Sequence, residues 1–332
     1  MPTIKDIARA AGVSPASVSR VINDGPKVGR ATREKIQRII KEMGYSPNAN
    51  AQAINAQASA SVGIVLANLE DPFYAAMAHG IEKVAARQGA QILLNSSEYS
   101  MESERQAIET LLEHRYKSIV VHSMHLPDAE LVQFADAIPG MVILNRYVEA
   151  IADRCVWLDD ELGGKLMAQH VVQKGHQNIA IIGADGGFSQ SAHRIPGALT
   201  ELARLGISEQ AICVEIADAT YEGGQAAIQN LMASGMPFTA VIAYNDPMAI
   251  GAIAMLNAQG FSVPKDVSVM GYDNLMLASC IEPKLTTVHH PIEEMAVLAT
   301  EMALRLNQAV PALNKRRFFP SLIERQSVTN FA

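Results

Sequence analysis

Polar side chains able to grip a polyhydroxyl ligand recur at one kind of place in this sequence, the ends of short apolar runs. "MVILNR" ends in Asn145 and Arg146, "AVIAYND" in Asn245 and Asp246, and "VMGYDN" reaches Asp273. "CVWLDDELGG" supplies Asp159 and Asp160, and "IIGADGGFSQSAHR" leads to Arg194. After "VGIVLAN" comes "LEDPFYAAM", in which Phe73 and Tyr74 enter a helix and offer an aromatic face to a sugar ring. Asp and Asn accept from, or bridge, vicinal hydroxyls, and Arg donates in a rigid fork. Any one of these residues could instead cap the helix that follows it. For Asp246 the N-cap reading stands level with the ligand reading.

A second set of chemistry-bearing residues lies at the N-terminus, in "TIKDIARAAGVSPASVSRVINDG". Thr3 can cap a helix whose first turn holds Asp6, with Ile4, Ile7, Ala8 and Ala11 on one side. Gly12 supplies a tight turn, Ser14 an N-cap and Pro15 a first helical residue that needs no N–H. The second helix then points Val18, Val21 and Ile22 inward and Pro15, Ala16, Ser19 and Arg20 outward. Helix, glycine turn and helix in this order form a helix-turn-helix, whose second helix lies in the DNA major groove. Arg20 can contact guanine O6 and N7 in bidentate fashion, and Pro15 and Ala16 can touch a thymine methyl. Ser14, Asn23 and Thr32 are placed to bind phosphates, which sets register without reading bases. A third, basic helix follows in "ATREKIQRIIKEMGY", with Ile36, Ile39, Ile40 and Met43 on its apolar stripe.

The charge of the chain agrees with that division. Residues 1–60 hold nine basic and four acidic side chains, a net +5, which leaves −12 for the remainder of a chain that carries −7 in all. A positive headpiece on an acidic body reads as a polyanion contact confined to one end. At 332 residues, 49% of them apolar, the chain suggests two or three compact units. It shows no secretory h-region and no apolar run of about 20 residues. Cys155, Cys213 and Cys280 lack zinc-ligand or CxxC spacing and read as buried free thiols of a reducing cytoplasm.

From Val62 onward, "VGIVLAN", "AQILLN", "SIVVHS", "MVILN", "NIAIIG", "AVIAYND" and "VSVMGYD" alternate with amphipathic stretches. Parallel strands buried on both faces read in this way, which gives doubly wound α/β lobes with ligands at the carboxyl ends of their strands. An NAD-dependent enzyme is the natural competitor for such alternation, but "GADGGF" is not GxGxxG, and no Walker A, HExxH or GxSxG sequence occurs. "HH" at 289–290 reads as structural rather than metal-binding, and no metal site or cofactor is expected. A sugar-binding transport protein would share the body, but it has no need of residues 1–60. A DNA-binding protein whose body only dimerises would bind no small molecule at all.

The N-terminal motif, with "YSPNANAQAI", "ERQAIETLLEHR", "PGMVILNR", "AYNDPMAIGAI", "VMGYDN" and "PKLTTV", resembles the LacI/GalR family of bacterial regulators from residue 3 to about 327. "NANAQA", "ERQAIETLLEHR" and "PGMVILNR" look most like its galactose repressor and isorepressor branch. The resemblance implies an all-α headpiece (1–46), a hinge helix and linker (47–60), and a two-lobed, periplasmic-binding-protein-like body (61–327). Its N-lobe would span about 61–160 and 292–327, and its C-lobe about 161–291. It implies a homodimer on a pseudo-palindromic double-stranded operator, with no C-terminal coiled coil to build a tetramer. The expected DNA contacts are Thr3, Ser14, Pro15, Ala16, Ser19, Arg20, Asn23 and Thr32, extended in the hinge by Asn48, Ala53 and Ile54. Ile54 stands where the family usually places a minor-groove leucine. The expected effector contacts are Phe73, Tyr74, Asn145, Arg146, Asp160, Arg194, Tyr221, Asn245, Asp246 and Asp273, of which Arg194 and Asp273 match the family most firmly. Two departures stand out. Pro196 falls at an expected helix start, and Ala219 falls where an aromatic residue usually precedes "EGG", with Tyr221 near enough to replace it. A monosaccharide or glycoside, galactose first, is the expected effector, with another sugar or a purine-like ligand as the alternative. Lobe closure around it would shift the N-lobes and pull the hinges apart, a coupling of roughly 1–3 kcal/mol.

Overall fold

The computed structural model describes residues 2–22, 25–45, 61–184, 187, 190–307 and 316–331. The chain divides into two compact units, Met1–Ser59 and Ala60–Ala332. In the first, α1 (Ile4–Ala11), α2 (Pro15–Ile22) and α3 (Arg30–Glu42) enclose Ile7, Ala8, Ala11, Val18, Val21, Ile36 and Ile39. Thr3 and Asp6 form a capping box at the start of α1, and Gly12 ends that helix at φ 66°. Left-handed backbone of this kind is least costly for glycine. Ser14 Oγ accepts from Ser17 N at 3.2 Å, so the cap expected for α2 is made.

The second unit holds two six-stranded sheets. Strands β1 (Ser61–Leu66), β2 (Gln91–Ser96), β3 (Ser118–Val121), β4 (Gly140–Leu144), β5 (Cys155–Leu158) and β11 (Arg317–Phe318) form the first, in the order β11-β5-β4-β3-β1-β2 and parallel throughout. Strands β6 (Ile179–Gly183), β7 (Ile212–Ile216), β8 (Ala240–Ala243), β9 (Ser268–Asp273), β10 (Thr286–His289) and β12 (Ser321–Ile323) form the second, in the order β12-β10-β9-β8-β6-β7. Only β12 in that sheet runs antiparallel to its neighbour. β1, β3, β4, β6, β8 and β9 are buried almost end to end, as strands covered on both faces must be.

The chain passes between lobes after β5, where α7 (Asp160–Gln173) packs against α8 (Arg194–Arg204) of the second lobe. It returns after β10, where α12 (Ile292–Asn307) packs on α4 (Pro72–Gln88) and on β4 of the first. A third passage, at Phe319–Pro320, separates the expected N-lobe segment 292–327 into two. β11 joins the first sheet, whereas β12 pairs with β10 of the second. Beyond it, Arg325 donates to Leu285 O at 2.8 Å and Asn274 Oδ1 at 2.6 Å, and Phe331 N donates to Lys174 O at 2.7 Å. The last segment is therefore part of the second lobe. Among the cysteines, Cys155 and Cys213 are buried as expected, but Cys280 is exposed.

Candidate functional site

The carboxyl ends of β1 to β4 in the first sheet and of β6 to β9 in the second supply the lining of one cavity of about 690 Å³. Six of the ten expected effector residues line it: Phe73, Tyr74, Asn145, Arg194, Asn245 and Asp273. Arg194 opens α8, and its guanidinium is fixed from several directions. Nε and Nη2 donate to Asp160 Oδ1 at 3.0 and 2.8 Å, and Nη1 donates to Tyr244 O. The group lies 3.4 Å from the Tyr272 ring centre, 4.7 Å from that of Tyr244, and 3.8 Å from Asp273 Oδ1. Burial works to lower its pKa, but Asp160 and then Asp273 hold it above the usual arginine value.

This clamp depends on two adjacent glycines in α7. A Cβ on Gly164 would stand 1.9 Å from Arg194 O, and one on Gly163 would stand 2.1 Å from the Tyr272 hydroxyl. Pro196 sits in the first turn of α8, where its missing N–H leaves no helical bond unmade, so it does not delay the helix.

On the first lobe, the Phe73 ring meets those of Tyr74, His122 and His290 at centroid distances of 5.3, 6.0 and 5.1 Å. Asp71 caps α4 by accepting from Phe73 N at 2.9 Å. Burial, and then the like charge of Asp273, push its pKa up to about 6. Burial, and then His290, push His122 down to about 3, so its ring is neutral. Asn145 adopts φ 61° and Asp273 φ 100°. Asn tolerates this region, whereas for Asp273 such backbone strain costs roughly 1–3 kcal/mol and is of the kind that gathers at ligand sites. Asn145 is only 3% exposed, and its Oδ1 has no hydrogen-bond partner among the described residues.

Four expected contacts lie elsewhere. Arg146 points away from the cavity, donating to Ser123 Oγ at 3.2 Å, Leu126 O at 2.8 Å and Asp128. Asp246 accepts from Leu275 N at 2.7 Å and Thr287 Oγ1 at 2.6 Å, and is sealed under the second lobe. It is not the helix cap either, since Asn245 Oδ1 makes that bond to Met248 N at 2.9 Å. Asp160 stands behind Arg194 as its counter-ion and does not line the cavity. Tyr221 begins α9 (Tyr221–Ala233) with its hydroxyl 3.4 Å from Gln225 Nε2, outside the lining, so it does not replace an aromatic residue at Ala219. The lining also includes Asp71, Tyr99, His122, Met124, His125 and Asp218, which strand-end reasoning passed over. Of these, His122 gave the same signal as the residues chosen, since it ends the run "SIVVHS".

On the headpiece, Pro15, Ala16 and Arg20 form the exposed face of α2, Ser19 and Thr32 are half-buried, and Val18 and Val21 face the core. The hydroxyls of Thr3 and Ser14, both expected to meet DNA, are engaged in the caps of α1 and α2. Asn23, Asn48, Ala53 and Ile54 lie outside the described residues. Among the described residues, no group of three or more His, Cys, Asp or Glu could hold a metal ion, and no helix is long and apolar enough to cross a membrane.

Comparisons with known proteins cover both units. The pattern of bacterial regulatory proteins of the lacI family matches residues 3–48, and that of the periplasmic binding protein-like domain matches residues 168–328. The transcriptional regulator GalR of Escherichia coli K12 is 40% identical over 99% of this chain and 96% of its own. GalS of Salmonella typhimurium LT2 is 38% identical over 99% of this chain and 97% of its own. Among solved structures, the lac repressor dimer bound to operator and the anti-inducer ONPF superposes with a TM-score of 0.83 at 27% identity, covering 99% of each chain. A helix-turn-helix unit and a two-lobed body so matched along their whole length place this chain in the LacI family, as a DNA-binding transcriptional regulator akin to GalR and GalS.

Proposed function

We propose that the protein is a cytoplasmic repressor of sugar-utilisation genes that binds a pseudo-palindromic operator as a homodimer and is controlled by a small sugar in the cleft. Galactose is the first candidate, by kinship with GalR. The observation that carries this reading is the clamped Arg194 beside Asp273, facing an aromatic wall of Phe73 and Tyr74. A rigid donor fork, a carboxylate and a ring face together match the edges and the flat side of a pyranose. Phe73, Tyr74, Asn145, Arg194, Asn245 and Asp273 are the proposed effector contacts. Pro15, Ala16, Ser19 and Arg20 are the proposed groove contacts. A glycoside larger than a hexose is the second reading, favoured by the low wall that Ala217, Ala219 and Ala226 make on the second lobe.

The test is binding-site selection from random duplexes with the full-length protein, followed by anisotropy titration of the selected duplex with and without galactose and other monosaccharides. A selected two-fold site whose affinity shifts with one of the sugars is expected. No preference for any duplex over random competitor would overturn the proposal.

A further inference from the structure

We infer that the cleft selects against anionic sugars: its effector is a hydrogen-bond-donating polyol without phosphate or carboxylate, and an amine in place of a hydroxyl is accepted. The inference rests on the sugar reading above and narrows it to a charge class.

Three carboxylates, Asp71, Asp218 and Asp273, line the cavity against the single guanidinium of Arg194. That guanidinium is already matched by Asp160, which reaches it at 2.8 Å from behind. The described charged groups on and behind the lining therefore leave an excess of negative charge. His122 on the lining does not offset it, since burial holds its ring neutral. The rise of the Asp71 pKa to about 6 has the same cause in part, a second carboxylate close by.

The hydrogen-bonding groups of the lining point the same way in part. Arg194 commits Nε and one N–H each of Nη1 and Nη2 to protein acceptors, three of its five donors. Asn245 is used on both sides, donating to Ala219 O at 2.9 Å and accepting from Met248 N at 2.9 Å. The acceptors that the lining offers to a ligand are the carboxylates and the unpartnered, buried Oδ1 of Asn145. A sugar hydroxyl can donate to each of these. A phosphate dianion brings only acceptors and two like charges into a site of reduced dielectric, where each such pair weighs more than in water. An ammonium brings donors and the opposite sign.

The test is calorimetry at pH 7 on the full-length protein with galactose, glucose and ribose, each beside its terminal phosphate ester, and with galactosamine and glucosamine. For any neutral sugar that binds, the phosphate is expected to bind at least about tenfold more weakly, a loss of about 1.4 kcal/mol. The amino sugar of a hexose that binds is expected to bind within a few-fold of its parent or more tightly. A phosphate that binds as well as its parent overturns the inference and leaves the sugar reading standing. Absence of binding by every compound overturns the sugar reading and the inference with it. Bulk could also reject a phosphate, so Asp218→Asn decides between the causes: the gap between phosphate and parent should narrow several-fold. An unchanged gap in that variant overturns the inference.

Discussion

Asp246 shows how a residue beside a ligand cleft can be tuned without touching a ligand. Its carboxyl is completely enclosed, and burial, followed by the charge of Asp273, pushes its pKa up to about 8. The unfolded chain releases that proton near 3.8. Between these values the folded chain binds more protons than the unfolded one, so this group's contribution to stability is complete below about pH 4 and is lost as pH rises toward 8. At 1.36 kcal/mol per unit, the displacement is worth roughly 6 kcal/mol at most. Asp246→Asn should flatten that slope, as measured by urea denaturation from pH 4.5 to 8.5, and parallel slopes in both proteins would place the effect elsewhere. The sequence proposes Asp246 and Arg146 as readily as Asn245 and Asn145, because a strand buried on both faces lacks the alternation that tells one side from the other. It locates the ends of the strands but not the direction of each side chain there. The opposing directions within these two pairs come from packing, visible only once the sheets are assembled.

At the scale of elements, legibility follows the length of the pattern. Runs such as "NIAIIG" and "VSVMGYD" appear as β6 and β9, and the glycine turn and N-cap around α2 stand where local chemistry puts them. Two- and three-residue strands such as β11 and β12 carry no period, so the third passage between lobes leaves no mark on the sequence. The exposed face of α2 is the element whose function can be tested most directly. Val18 and Val21 fix that helix in its core, while Arg20 projects to solvent with no structural bond to lose from its side chain's removal in the described caps. Arg20→Ala should therefore relax base preference at one position of each half-site, by roughly 1–3 kcal/mol. Non-specific, salt-dependent binding should fall only slightly, since that term comes from phosphate contacts. Repeating the site selection with the variant checks this, and an unaltered base preference would remove Arg20 from the reading face.

At the scale of the whole body, three passages tie the lobes together, and two of them are bound to each other. Arg317, on β11 just before the third, lies 4.8 Å from the Trp157 ring centre and 5.2 Å from that of Phe319, and is ion-paired with Asp159 at the first. Trp157 is the chain's single tryptophan, so its fluorescence comes from this junction alone. If a sugar rearranges the lobes, cation–π contacts at the junction change with them, and the emission of Trp157 should move with saturation of the cleft. The same signal can measure coupling to DNA. Linkage requires that whatever factor the sugar exerts on operator affinity, the operator exerts on sugar affinity, typically about 5–150-fold. Titrating sugar against the full-length protein, free and then saturated with operator duplex, should give two midpoints separated by that factor, matching the shift found in the anisotropy titration. Coincident midpoints would mean that the cleft and the headpiece act independently, and control by the sugar would have to be abandoned even if both ligands bind.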